Sequence, residues 1–270
     1  MTFPIDEKLR IGIQTIHREP DDQHGPWLPK IDELVDFVQL VDKSGFDSLW
    51  VGDHLSMPLP FFDPFQQLAQ AAVASRRLLL GTSVYLLPLR HPGPVAKQAI
   101  TLDHLSEGRL LFGVGIGGEF PKEYEVAGVP MNERGARLSE SIEVMRELWS
   151  GEPASYNGKF FTFSEVLMTP PPRQEGGPPI WCGGRKEAAF KRMGRLADGY
   201  VSYVVTPEMY RDALVKIEQA ANEANRKLNN FGTGHLIFTR VDDNYETALE
   251  TATSSLSKRY AMDFRRAAER

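Results

Sequence analysis

The stretch IDELVDFVQLVDKSGFDSLWVGDH, Ile31 to His54, contains one helix-to-strand unit of the chain. Ile31, Leu34, Val35, Val38 and Val41 recur at helical steps and mark a helix with one face to bury. Gly45 follows where a left-handed residue commonly ends a helix. Ser48 to Val51 is a β-rich run, and an Asp-His pair, Asp53-His54, stands just beyond it. The same alternation extends outward in both directions. Strands are expected at Leu9 to Gln14, Leu78 to Leu86, Leu110 to Val114, Ile180 to Cys182, Tyr200 to Val204 and Leu236 to Val241. A second helical stripe, Leu138, Ile142, Met145, Leu148 and Trp149, ends before Gly151. Alternating strands and helices make an α/β fold with a parallel sheet, and carboxyl ends of barrel strands are where such proteins carry chemistry.

Composition narrows the function classes. With 270 residues, 41% of them hydrophobic, the chain has enough apolar material for a large core. A formal net charge of −5, from 31 Lys+Arg against 36 Asp+Glu, gives no footprint for nucleic acid. The single cysteine, Cys182, has no partner for an internal disulfide, and no apolar run approaches the roughly 20 residues of a membrane helix. A cytoplasmic protein acting on a small molecule is expected, with neither membrane nor nucleic acid as partner.

Residues 1–270 read as a single domain with one interruption, at about 151–179. There Tyr156-Asn157-Gly158-Lys159-Phe160-Phe161-Thr162-Phe163 resembles an aromatic hairpin, and a Pro- and Gly-rich run leads from Pro170 to Pro179. An insertion at the top of a barrel is a candidate lid; alternatively Phe160, Phe161 and Phe163 pack against the preceding helix. The segment from Tyr245 almost to Arg270 reads as helix, which leaves seven strands.

Several motifs admit two readings. Gly113-Val114-Gly115-Ile116-Gly117-Gly118 satisfies the dinucleotide-binding glycine pattern after a strand. Pro121 and Pro130 then bracket a segment read as irregular, the next clear helix begins near Glu133, and no acidic strand end follows at the right distance. Asp53-His54 is either a structural turn or a proton-handling pair. Gly183-Gly184-Arg185 precedes a helix holding Ala188, Met193 and Leu196, and is either an ordinary turn or a phosphate cradle. His17, His24, His54, His91, His104 and His235 form no metal pattern, so no metal is expected, and a metal-dependent barrel hydrolase is a weak rival. No Gly-x-Ser-x-Gly elbow is present.

Read together and in order, the motifs resemble those of the bacterial-luciferase-like family of flavin and deazaflavin oxidoreductases. The resemblance rests on Gly45-Phe46-Asp47-Ser48-Leu49-Trp50 leading into Asp53-His54, on Gly81-Thr82-Ser83-Val84, and on Pro88-Leu89-Arg90-His91-Pro92. It continues through Thr101-Leu102-Asp103-His104-Leu105-Ser106-Glu107-Gly108-Arg109, Glu133-Arg134-Gly135, Leu148-Trp149 and Ala197-Asp198-Gly199. It implies a (β/α)8 TIM barrel, so with seven strands in view a carboxyl-terminal βα unit is expected to be missing. It implies a ring across the strand ends near Asp53, Ser83, Val84, Leu86, Ile116 and Gly117, and a phosphate tail at Gly183, Gly184 and Arg185. A non-proline cis peptide is implied near Ser83 and Val84. Within the family the chain is more similar to members using coenzyme F420, with His54 and Glu119 handling protons, although the extra Gly118 leaves Glu123 as an equal candidate for the acid. Hydride transfer between F420 and a small organic substrate is the implied reaction. An FMN-dependent monooxygenase using oxygen and a non-catalytic flavin-binding protein are the alternatives. A homodimer is implied as the assembly.

Overall fold

A computed structural model describes residues 8–14, 30–57, 60–260 and 263–265. Seven strands form one sheet in which every neighbour is parallel: β1 (Gly12–Gln14), β2 (Ser48–Val51), β3 (Leu79–Thr82), β4 (Leu110–Val114), β7 (Ile180–Gly183), β8 (Gly199–Tyr203) and β9 (Gly232–Leu236). Strands β5 (Ala154–Asn157) and β6 (Thr162–Val166) form a separate antiparallel hairpin. The helices are α1 (Ile31–Lys43), α2 (Pro64–Ala74), α3 (Pro92–Leu105), α4 (Pro121–Ala127), α5 (Arg134–Leu148), α6 (Glu187–Leu196), α7 (Pro207–Glu223) and α8 (Tyr245–Tyr260). The sheet curls into a half-barrel, with β1 and β9 as its edges among the described residues.

The main core lies between the sheet and its helices. Leu49, Val51, Leu80, Leu110, Phe112, Val114, Ile180, Cys182 and Tyr200 project outward from the strands and are buried against Leu68, Val95, Ile100, Ile142, Met145, Met193 and Ile217. Residues of the opposite parity face the barrel interior, as the period of two requires. There Trp50 and Trp181, with ring centroids 5.8 Å apart, fill the space that glycines leave on neighbouring strands. A Cβ on Gly81 would lie 2.2 Å from the Trp50 ring, and one on Gly232 would lie 2.1 Å from Trp181.

That packing corrects one strand. The last strand was expected at Leu236 to Val241, but it runs Gly232–Leu236. Glycine in a run weakens a strand pattern; in the fold Gly232 and Gly234 make room for Trp181, and the apolar residues beyond Leu236 lie outside the ladder. The first strand is likewise confined to Gly12–Gln14, and the expected terminal helix is described over Tyr245–Tyr260; most of the stretch beyond it lies outside the described residues.

The interruption packs along the outside of the barrel on α5. It joins the carboxyl end of α5 to the amino end of β7, and so starts from the face of the barrel opposite the carboxyl ends of the strands. The buried carboxylate of Glu140 on α5 accepts from the backbone of Lys159, Phe160 and Phe161 at 3.2, 2.7 and 2.9 Å. Tyr156 donates to Glu143, and Arg137 lies over the Phe160 ring at 4.5 Å. The aromatic hairpin therefore packs along α5, the second of the two sequence readings, with Phe161 reaching the His91 ring at 5.1 Å.

Candidate active site

Strand β3 does not stop cleanly at Thr82. The Ser83–Val84 peptide is cis, where the resemblance implied one. The chain then rejoins β4, Tyr85 N donating to Gly113 O at 2.8 Å and Gly115 N to Tyr85 O at 2.9 Å. Beneath this bulge Tyr85 stacks on Phe65 at 4.8 Å and meets Phe112 at 5.3 Å, aromatic contacts that each add about 0.5–1.5 kcal/mol beyond area burial. Val84 projects between Gly115 and Gly183, where added Cβ atoms would fall 2.4 and 3.2 Å from its methyls. Glycine at these two strand ends thus makes space for Val84. Leu86 fits in the same way beside Gly117, which has φ +57°.

Asp53 fixes this platform from below. Its side chain is 1% exposed. Oδ2 accepts from Leu86 N at 2.8 Å and Arg90 Nη1 at 2.5 Å, and Oδ1 from Arg90 Nη2 at 2.9 Å. Burial opposes the Arg90 charge, but the two-pronged contact with Asp53 outweighs it and holds the guanidinium above its ordinary pKa, while burial of Asp53 itself outweighs Arg90 and raises the carboxyl pKa. Arg90 also lies 4.4 Å over the Tyr85 ring. Asp53, implied as a cofactor contact, has its oxygens engaged within the protein and acts on the site through the Leu86 backbone.

His54 is the polar side chain that the following loop presents, and its own side chain is 15% exposed. Phe61 and Phe120 stand edge-on to the imidazole at 5.0 and 5.3 Å. Nδ1 lies 3.1 Å from Glu123 Oε1 on α4. The same oxygen accepts from Leu55 N at 2.7 Å and Ser56 N at 3.3 Å, while Oε2 is buried without a partner. Glu123 is fully buried. Burial favours its neutral form, but the hydrogen bond and charge of His54 and the backbone bonds of Ser56 and Leu55 outweigh that, so its pKa is lowered. An ionised Glu123 accepts the hydrogen bond of an Nδ1–H, the tautomer that leaves Nε2 without its proton.

Of the two acids left open by sequence, Glu123 therefore meets His54. Glu119 is exposed and accepts from Tyr203 Oη at 3.3 Å, at the end of β8. Pro121, read as a break, opens the short helix that carries Glu123, because proline is tolerated in the first helical turn. Gly118, the last glycine of the 113–118 run, precedes that helix by three residues. Ile116 stays partly buried, its carbonyl accepting from Tyr124 Oη.

Gly183, Gly184 and Arg185 lead into α6, whose first residues have no side-chain cap. Arg185 lies over the Tyr203 ring at 4.8 Å. A helix start with a cation beside it can bind an anionic group. Two further atoms were invisible in sequence: Gln14 Oε1 at the end of β1 and Arg134 Nε at the start of α5 are both buried without partners. A planar ring with polar edges and a phosphorylated tail fits this set: Val84 and Leu86 as apolar bed, orphaned polar atoms around it, and Arg185 at the α6 terminus. Among the described residues no group of three or more His, Cys, Asp or Glu could hold a metal, and no helix is long and apolar enough to cross a membrane. His17 and His24 lie outside the described residues.

A curled parallel sheet with a buried carboxylate–imidazole pair at the carboxyl ends of its strands is the arrangement of a barrel enzyme. Residues 9–270 match the family model described as luciferase-like monooxygenase, and the chain belongs to that family of oxidoreductases. It is 30% identical over 263 residues to an F420-dependent glucose-6-phosphate dehydrogenase of Microbacterium testaceum, covering 93% of this chain and 72% of that protein. It is 33% identical over 156 residues to the oxygenase component of a flavin-dependent trigonelline monooxygenase of Acinetobacter baylyi, 57% of this chain and 43% of that one. The crystal structure of the monooxygenase RslO1 from Streptomyces bottropensis superposes with a TM-score of 0.80 at 25% identity, covering 96% of this chain and 82% of that chain.

Proposed function

We propose that the protein transfers a hydride between coenzyme F420 and a small organic substrate, with His54 exchanging the accompanying proton. The observation that carries this reading is the His54–Glu123 contact. It engages Nδ1 at 3.1 Å and, with Phe61 and Phe120 on either side, holds the imidazole in one orientation. A proton acceptor or donor fixed in this way needs no rearrangement when the reactant arrives. Bound F420 would supply the two-electron exchange that no side chain here can perform. Val84 and Leu86 would bed its ring, and Gly183, Gly184 and Arg185 would hold its phosphate. The cofactor assignment is supported by the similarity to F420-dependent glucose-6-phosphate dehydrogenases.

A second reading, an FMN-dependent monooxygenase, is favoured by the similarity to the trigonelline monooxygenase and to RslO1. In that case Phe61 and Phe120 would serve chiefly to keep water from the strand ends.

The test is His54→Asn, assayed with F420 against a panel of small alcohols and sugar phosphates. Turnover should fall by about 10²–10⁴ while cofactor affinity stays unchanged, as for loss of a general acid–base. Undiminished turnover would remove His54 from the chemistry and this reading with it.

A further inference from the structure

We propose that Gln14, the last residue of β1, reads the bound molecule: its side-chain carbonyl accepts a hydrogen bond from an N–H or O–H group of cofactor or substrate. The inference deepens the proposed function and takes from it only the location of the bound molecule.

The amide of Gln14 is half satisfied. Nε2 donates to Ser83 O at 3.4 Å, while Oε1 is buried and has no donor. A buried acceptor without a donor opposes folding, and native proteins retain few of them. Gln14 pairs in register with Trp50, so its side chain rises from the tryptophan-filled interior toward the carboxyl ends of the strands. Its neighbours place it on the same wall as His54. A Cβ on Gly52 would meet Phe61 Cε1 at 3.0 Å and Gln14 Nε2 at 3.5 Å, and Phe61 in turn packs on the His54 imidazole. Ser83 O, which orients the amide, belongs to the cis peptide of the bulge.

The orphaned atom is not isolated. Glu123 Oε2 and Arg134 Nε, also buried without partners, belong to residues on the loop and helices that follow β4, on the same side of the sheet. An unsatisfied polar atom at a strand end is expected where a ligand completes the hydrogen bonding, whereas Gln70, Ser141 and Tyr200, also with an unpartnered buried atom, lie on helices or the outer face of the sheet. Gln14 offers an acceptor, so the group it recognises is a donor. A carbonyl or phosphate oxygen would gain nothing from it.

The experiment compares wild type with Gln14→Met, which keeps the side-chain shape without polar atoms, and Gln14→Glu, which keeps an acceptor at the same reach. F420 and FMN affinities are read by fluorescence, substrate KM by turnover, and unfolding of each chain without ligand by temperature. Gln14→Met should lose about tenfold in affinity, the worth of one hydrogen bond, and Gln14→Glu should recover most of it. A weaker cofactor Kd places the donor on the cofactor; an unchanged Kd with a raised KM places it on the substrate. The unligated Met variant should melt close to wild type, because the acceptor it removes has no donor and the Nε2 contact with Ser83 O that it also loses is long, at 3.4 Å. Unchanged Kd and KM, or a lower melting temperature with both constants affected, would overturn the inference by making Gln14 inert or structural. If wild type binds FMN but not F420, the cofactor proposal fails and Gln14 is judged on FMN; if it binds neither, both fail.

Discussion

Replacing Glu123 with glutamine keeps the side-chain shape and removes its charge. In the wild type one carboxylate oxygen accepts from His54 Nδ1, Leu55 N and Ser56 N at 3.1, 2.7 and 3.3 Å. A hydrogen bond to a charged group is worth about 1.5–3 kcal/mol net and a neutral one about 0.5–1.5, so three bonds lose roughly 3 kcal/mol together. Removing a fully buried charge gives back part of this through lower desolvation. Because the Glu123 pKa is lowered in the folded protein, the partners outweigh burial, and a net destabilisation of about 1–2 kcal/mol is expected. The pH dependence follows from the same shift. A carboxylate with a lowered folded pKa contributes its stability above the unfolded value of about 4.3, and that stability is lost as pH falls through the folded value. Urea unfolding should therefore separate the two chains by about 1–2 kcal/mol near neutral pH, with the gap closing on acidification below about pH 4. A gap that persists unchanged in acid, or a glutamine variant more stable at neutral pH, would refute the ionised-pair assignment.

Three further outcomes follow from contacts around the site. Arg90→Ala leaves Asp53 buried without its cation and should cost about 3–5 kcal/mol in denaturant unfolding; a loss below about 1 kcal/mol would show that the pair is dispensable. Gly113→Ala places a Cβ 1.9 Å from the Thr82 carbonyl and must push β3 from β4, so it should destabilise by about 3 kcal/mol or more, whereas Gly45→Ala meets nothing within 4 Å and should cost only about 1 for its φ of +84°. Equal melting temperatures for these two variants would contradict the close approach at Gly113. Arg185→Ala should weaken cofactor binding by about tenfold at low ionic strength and by less at high salt, as expected for a phosphate contact; a salt-independent loss would assign Arg185 to packing on Tyr203 instead.

Local signals in the sequence revealed the sheet better than they revealed the site. Helix α1, Gly45 and β2 follow from the spacing between Ile31 and Val51, because helical and strand periods change there within a few residues. Strand β9 was misplaced because Gly232 and Gly234 answer to Trp181, a residue some fifty positions away, about one and a half βα units. The aromatic content of the hairpin was plain, but it could not decide between a lid and packing on the preceding helix. Its side follows from tracing strand and helix direction through α5, and its seating depends on Glu140. Choosing between Glu119 and Glu123 required knowing that Pro121 opens a helix, since only helical geometry turns Glu123 toward His54. Gln14 carried no signal: a glutamine at a strand end is unremarkable until its carbonyl is found buried without a donor.

The most direct test of the account is titration of the purified protein with F420 and with FMN, each oxidised and reduced, followed by absorbance and fluorescence. The account predicts micromolar binding of F420, weaker binding of FMN, and loss of affinity on Arg185→Ala. Tighter binding of FMN than of F420 would move the protein to the oxygen-using branch, and binding of neither would contradict the claim that these strand ends hold a flavin-like cofactor.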